Sequence, residues 1–401
     1  MKEGQSQILT INSGSSSIKF SLYQHNETLE KVLGGKIERI GTEAASFVYS
    51  KNEQASTRNP VTAKDISAAA LFLISWLEKE INLKHLTAIA HRIVYGMQHT
   101  APLIITPEIL DEFKQISVFD PDHMPGAIVL IEKLGKKYPS LKQIACFDTA
   151  FHAGIPRVAS MFPLPRRFEK DGIRRYGFHG ISYNYLLEKL DTLAGKNISQ
   201  GRLVLAHLGS GSSMAAVKNG RCIDTTMGFT PAGGLMMSTR SGDLDPGIIT
   251  YLLRKYKYTS KQLDRLINQE SGLLGVSAIS ADMHDLLDKE HTDLSAAEAV
   301  ALFCYQAKKS LCAFTGALGG VDAIVFTGGI GENASTIRSR ICDGLKYLGI
   351  ELDSAKNQEN ASMISLSGSL VNVYVIPANE EYMIAALTLA LLNHSSTSKL
   401  K

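Results

Sequence analysis

One strand–turn–strand pattern occurs twice in this 401-residue chain, and it limits the folds open to the sequence more than any other feature. Near the start, Ile8-Leu9-Thr10-Ile11 reads as a buried strand, Asn12-Ser13-Gly14-Ser15-Ser16-Ser17 as a tight polar turn, and Ile18–Tyr23 as a strand alternating apolar and polar residues. Mid-chain, Leu203–Ala206, the tip His207–Ser213 and Met214–Val217 repeat it; the copies start at Ile8 and Leu203, 195 residues apart. A repeat at about half the chain length predicts two related lobes.

Further apolar strands end in polar or glycine-containing segments. Thr87–Ala90 leads into His91–Gly96, Gln143–Phe147 into Asp148–His152, and Asp322–Thr327 into Gly328–Asn333. Open α/β sheets bind ligands at such carboxyl ends. Helical spacing marks Ile66–Glu80, Ala296–Leu318 and Glu380–Leu392 between them. The expected fold is therefore α/β with two lobes. Asn52–Asn59 and Ser365–Ser369 read as surface loops, and Asn393–Lys401 as a frayed tail.

Composition narrows the function classes. Lys plus Arg number 42 against 39 Asp plus Glu, a net charge of +3, too small to argue for nucleic acid or an anionic membrane as partner. The five cysteines, Cys146, Cys222, Cys304, Cys312 and Cys342, form neither a redox pair nor a zinc knuckle and read as reduced thiols of a cytoplasmic protein. Neither a secretory h-region nor a bilayer-length apolar stretch is apparent. Arg166-Arg167 and Arg174-Arg175, interleaved with Glu169 and Asp171, read as a solvated or subunit-contact face.

The two Gly/Ser tips and Gly328-Gly329-Ile330-Gly331 can bring backbone N–H groups close to phosphate oxygens. No GxxxxGK[ST] is present, and any one tip alone reads first as a plain turn, whereas their joint occurrence at repeated strand ends points to phosphate binding. Other polar clusters are His91-Arg92, Asp148, Tyr176–Gly180, Ser238–Asp243 and Asn379-Glu380-Glu381. Arginine suits bidentate holding of carboxylate or phosphoryl oxygens, although a structural Arg–Asp pair is the competing reading.

Asn12–Lys19, Tyr176–Gly180, Thr226–Pro231 and Met236–Pro246, in this order along the chain, closely resemble the signatures of the acetate kinase family, and the resemblance runs from about Ile8 to Leu392. The resemblance implies the superfamily of acetate and sugar kinases, heat-shock chaperones and actin: two duplicated RNase-H-like lobes with the active site in the cleft between them. Residues 1–150 plus 380–401 would form the N-terminal lobe, and 151–379 a C-terminal lobe carrying most of the nucleotide site. It implies reversible ATP-dependent phosphorylation of acetate by a cytoplasmic homodimer using Mg²⁺, with Mn²⁺ as an alternative. Catalytic roles would fall to Asp148, Arg92, His179 and Arg240, and metal binding to Asn12 and Glu380. ATP or ADP would meet Lys19, the run His207-Leu208-Gly209-Ser210-Gly211, Asp282-Met283-His284 and Gly329-Ile330-Gly331-Glu332-Asn333. The acyl group would meet Arg92, Val94, Asp122 and Pro231. Because a carboxylate acceptor is ionised at neutral pH, the reaction needs no general base.

Several positions depart from the family pattern. Ser210 stands for Asn, and His284 for Arg, which removes a fixed charge near the nucleotide. Asp120-Pro121-Asp122-His123-Met124-Pro125 aligns with Ala-Pro-Leu-His-Asn-Pro, Ala232 falls in a Pro-Leu-Glu-Gly segment, and Ser238 replaces Gly. A carboxylate at Asp122 would repel acetate unless it turns to solvent. Alternatives are therefore a kinase for propionate or another short, polar acid, or a nucleotide-binding regulatory protein that has lost transfer activity.

Overall fold

The computed structural model describes residues 6–14, 16–52, 54–120 and 123–397, with backbone only for 395–397. Its contacts divide the chain into unit 1, Met1–Ala150 with Asn379–Lys401, and unit 2, Phe151–Ala378.

Unit 1 holds an eight-stranded sheet of β1 (Ser6–Ser13), β2 (Ile18–His25), β3 (Leu29–Glu38), β4 (Ser46–Lys51), β5 (Thr57–Pro60), β6 (Ala88–Ile93), β7 (Leu103–Ile104) and β8 (Gln143–Phe147), in the order β5-β4-β3-β2-β1-β6-β8-β7. Strands β1, β2 and β3 are antiparallel neighbours, whereas β6 and β8 run parallel to β1. Side chains alternate between faces along a strand. Leu9 and Ile11 of β1 thus join a core with α1 (Ile66–Glu80) and α2 (Met124–Lys137), and Thr10 and Asn12 point the other way, toward the C-terminal helix Glu380–Thr397. Asp65 caps α1 by accepting the Ala68 N–H, and Ala69, Ala70, Leu73, Ile74 and Leu77 form its buried stripe.

Unit 2 repeats this plan. Strands β9 (Arg202–Leu208), β10 (Ser212–Lys218), β11 (Arg221–Thr225), β12 (Ala323–Thr327) and β13 (Asn372–Val375) lie in the order β11-β10-β9-β12-β13, matching β3-β2-β1-β6-β8 strand for strand. The first three are again antiparallel and the last two parallel to β9. Val204, Ala206 and Leu208 face a core built on α6 (Leu294–Leu318). Leu203 and Leu205 face Tyr183, Leu186 and Leu190 of α3 (Gly180–Ala194). The helical pair α4 (Pro246–Lys255) and α5 (Ser260–Gln269) contributes no buried residue, and a short α7 (Gly328–Asn333) follows β12.

Differences from the sequence reading have local causes. His91-Arg92 and His207-Leu208 continue strands β6 and β9 instead of opening loops. Thr57–Pro60 forms an edge strand, exposed throughout, so no apolar alternation marks it. The long helix α6 begins at Leu294 because Asp293 caps it, and the C-terminal helix runs on to Thr397 through a segment with neither Gly nor Pro. Arg175 is turned inward, its Nη1 donating to the carbonyls of Thr225, Thr226 and Met227, and is not part of a solvated basic face. All five cysteines are unpaired. Among the described residues, no helix is long and apolar enough to cross a membrane.

Each unit buries one neutral histidine. The Gln143 amide donates to the Ile131 carbonyl, so its oxygen faces His91 Nε2 at 2.8 Å and accepts that proton. His152 Nε2 donates to the Phe178 carbonyl at 2.9 Å while Nδ1 lies 3.2 Å from Cys222 Sγ. Burial pushes both imidazoles down to about 4 and the Cys222 thiol upward, so this His–Cys contact is not a reactive ion pair. Below the ordinary histidine pKa the unfolded chain takes up protons that the folded chain refuses. Stability is therefore complete above about pH 6.5 and falls as pH drops toward 4, by roughly 2–3 kcal/mol per histidine. Urea titrations from pH 7 to 4.5 should show this fall, and His91→Gln or His152→Gln should flatten it; an unchanged slope in both variants would contradict the assignment.

Candidate active site

In unit 1 the strand ends bring four elements to one network. Arg92, next to last in β6, donates from Nε to both Asp148 oxygens at 3.1 and 3.0 Å and from Nη2 to Oδ2 at 2.6 Å. Its Nη1 donates to Asn12 Oδ1 at 3.1 Å and lies 3.7 Å from Glu380 Oε2. Asn12 in turn donates from Nδ2 to Glu380 Oε2 at 3.1 Å and to Glu381 Oε1 at 3.4 Å. Asn379 sets the start of the C-terminal helix by accepting the Tyr382 N–H. Lys19 stands directly opposite Asn12 in the β1–β2 register, which places both on one face.

The Asp148 side chain is wholly buried. Burial pushes its carboxyl upward, against the downward pull of the Arg92 guanidinium. Burial likewise disfavours charge on Arg92, yet Asp148 and Glu380 hold it protonated far above neutrality. The two form a charged pair, and removing Arg92 would leave Asp148 as an uncompensated buried charge, a loss of about 3–5 kcal/mol. One guanidinium faces three carboxylates here, and among the described residues no three acidic, His or Cys side chains cluster closely enough to hold a metal ion on their own.

In unit 2 several of the expected site residues gather around the β9–β10 turn. His207 and Ser213 are register partners on the α3 face of the sheet. His179 precedes α3 with φ 59°, a left-handed backbone rare outside glycine. Gly177, two residues earlier, is also left-handed at φ 73°, and a Cβ there would lie 2.6 Å from the His152 ring. The rings of His179 and His207 stack with centroids 4.2 Å apart. Two imidazolium charges at that spacing would repel by about 4 kcal/mol at an effective dielectric near 20. A Cβ on Gly211 would lie 3.3 Å from His179 Nε2 and 3.9 Å from Arg240 Nη1, so this tip, His179 and Arg240 share one small space. The Arg240 loop is tied to the tip by the Ser238 N–H donating to the Ser210 carbonyl, and Nη1 lies 3.5 Å from the Pro231 carbonyl.

The remaining expected site residues divide by environment. Gly329 is open, with nothing near its missing Cβ. Glu332 turns inward: Oε1 accepts the N–H groups of Gly328 at 2.8 Å and Ala378 at 2.9 Å. Asn333 donates to the Gly329 carbonyl, and Gly331 is buried while Ile330 is half-buried against the core. Leu208 and Met283 are core residues. Asp282 caps the helix beginning at Met283 by accepting the His284 N–H, and His284 lies at the surface beside Asp288. Val94 is buried. Asp122 lies outside the described residues, between Asp120, whose Oδ1 is 2.8 Å from His123 Nδ1, and His123. Glu381, next to Glu380 at the helix start, joins the network through the Asn12 side chain.

The profile of the acetokinase family matches residues 7–386. The chain is 44% identical over 389 residues to an acetate kinase of Rhodopseudomonas palustris (strain TIE-1), covering 94% of this chain and 96% of that protein. It is 39% identical over 404 residues to an acetate kinase of Methylocella silvestris, covering 98% and 99%. Among solved structures, Porphyromonas gingivalis acetate kinase superposes with a TM-score of 0.86 at 34% identity, covering 96% of this chain and 100% of that one. A propionate kinase from Francisella tularensis superposes at 0.88 and 33%, covering 95% and 98%. With strand-end networks of this kind in both units and a match over nearly its whole length, the chain belongs to the acetokinase family.

Proposed function

We propose that this protein catalyses the reversible transfer of the γ-phosphoryl group of ATP to acetate, giving acetyl phosphate and ADP. The observation that carries the reading is the Asn12–Arg92–Asp148–Glu380 network, in a chain alignable over nearly its full length with acetate kinases. The acceptor carboxylate is already ionised and needs no base. Asp148, bound through both oxygens by Arg92, is correspondingly suited to orienting that guanidinium and unsuited to removing a proton. Arg92 holds acceptor or phosphoryl oxygens, and His179 and Arg240 offset the charge that builds on the transferring group. Asn12 and Glu380, with Glu381 beside them, would hold Mg²⁺ or Mn²⁺, which supplies charge neutralisation on the phosphates. Lys19, the Gly209–Gly211 tip and Gly329 would receive the nucleotide, and Val94 and Pro231 the acyl end.

Propionate is the second reading, favoured by the equally close superposition on a propionate kinase. ATP as substrate implies a cytoplasmic setting. A homodimer is supported by α4 and α5, which bury nothing within the unit and expose Ile248, Tyr251, Leu253 and, just beyond α4, Tyr256.

Three outcomes are expected. A coupled assay of ADP formation should give turnover with acetate and, more weakly, with propionate; ATP binding without turnover on any short carboxylate would point to a regulatory protein instead. Arg240→Ala should lower kcat by at least about 10², whereas Arg92→Ala should lose both activity and stability; near-normal kcat in Arg240→Ala would remove that residue from the mechanism. Light scattering should report a dimer that Tyr251→Lys weakens, and a monomeric native protein would refute the proposed face.

A further inference from the structure

Behind each imidazole of the stacked pair stands a fully buried serine. Ser213 Oγ lies 2.9 Å from His179 Nδ1, and Ser182 Oγ lies 2.9 Å from His207 Nδ1. Both serines have no exposed surface. The contacts are crossed: α3 carries Ser182, which holds the histidine of β9, while β10 carries Ser213, which holds the histidine preceding α3. Tyr183, also buried, braces the second contact with its hydroxyl 2.5 Å from Ser213 Oγ. With both Nδ1 atoms occupied from behind, both Nε2 atoms turn to the turn glycines: a Cβ on Gly211 would be 3.3 Å from His179 Nε2, and one on Gly209 would be 3.9 Å from His207 Nε2.

We propose that Ser213, braced by Tyr183, and Ser182 are positioning residues that fix His179 and His207 as neutral imidazoles with the proton on Nε2. In this arrangement the Tyr183 hydroxyl donates to Ser213 Oγ, and the Ser213 hydroxyl donates to His179 Nδ1. The Ser182 hydroxyl donates to His207 Nδ1. Each ring then offers one N–H to an anionic oxygen at the β9–β10 tip. A hydroxyl is the fitting partner. A carboxylate behind Nδ1 would favour imidazolium in both rings, and two like charges stacked at 4.2 Å repel. A group that holds the second nitrogen of a histidine sets the tautomer and ring orientation, and losing such a partner in metal sites costs about 10–100-fold.

The kinetic half of this proposal rests on the phosphoryl transfer proposed above; the tautomer half does not. The test is two-bond ¹H–¹⁵N correlation of the histidine rings at neutral pH, with peaks assigned through His179→Gln and His207→Gln, alongside steady-state kinetics with ATP and acetate. Wild-type protein should show Nε2-protonated neutral rings at both positions. Ser213→Ala should shift the His179 signature toward mixed tautomers, leave that of His207 in place, and lower kcat about tenfold with KM for both substrates within about threefold. Ser213→Thr, which keeps the hydroxyl, should restore most of the loss. Ser182→Ala should move the His207 signature and raise the KM for ATP. Tyr183→Phe keeps Ser213 in place and provides the milder probe if Ser213→Ala misfolds, with the His179 signature moving in the same direction. An Nδ1-protonated His179 in the wild type, or a Ser213→Ala protein with kcat within about twofold of normal, would overturn the proposal. Absence of turnover on any short carboxylate would instead defeat the functional reading and leave the ring signatures to decide the positioning.

Discussion

Strands β1 and β9 are covered on both faces, so the alternation of their side chains decides which residues join the larger core and which share a face with Asn12 or His207. On β1, Leu9 and Ile11 join the α1–α2 core while Thr10 and Asn12 face the C-terminal helix. On β9, Val204, Ala206 and Leu208 join the α6 core while Leu203, Leu205 and His207 face α3. A register slip of one residue would put Asn12 and His207 into the apolar layer and an aliphatic side chain into each site. The same packing that makes these sheets stable thus also aims their polar termini.

The two units use charge differently. Unit 1 concentrates it: Arg92 is surrounded by Asp148, Glu380 and Asn12, and the burial that disfavours each ion alone makes the pair interdependent. Unit 2 keeps its histidines close enough to repel if both were charged, and meets each with a hydroxyl. Net charge conveys none of this, because +3 spread over 401 residues averages away every local arrangement.

Much of the architecture could be read from sequence because it depends on local periodicity. Ile66–Glu80 and Gln143–Phe147 have the expected bounds, and the hairpin repeat reappears as two sheets with the same strand order. Contacts between distant residues were less legible. The inward turn of Glu332 depends on the backbone of Ala378, 46 residues away. The burial of Met283 depends on helix packing that no motif encodes. Ser182 and Ser213 pass unnoticed in sequence because a serine in a strand or helix is ordinary; only the imidazoles opposite them give their hydroxyls a task.

The return of the C-terminal helix to unit 1 also fixes an order of assembly. Asn12 and Glu380 are 368 residues apart in the chain yet share a hydrogen bond. During synthesis the whole of unit 2 leaves the ribosome before Glu380 does, so β1, β6 and β8 must wait with the Asn12 and Arg92 side chains lacking their last carboxylate partners. A chain that ends before Asn379 therefore holds every residue of unit 2 while the acidic network of unit 1 lacks Glu380 and Glu381, and the ability to complete that network arrives only with the final helix.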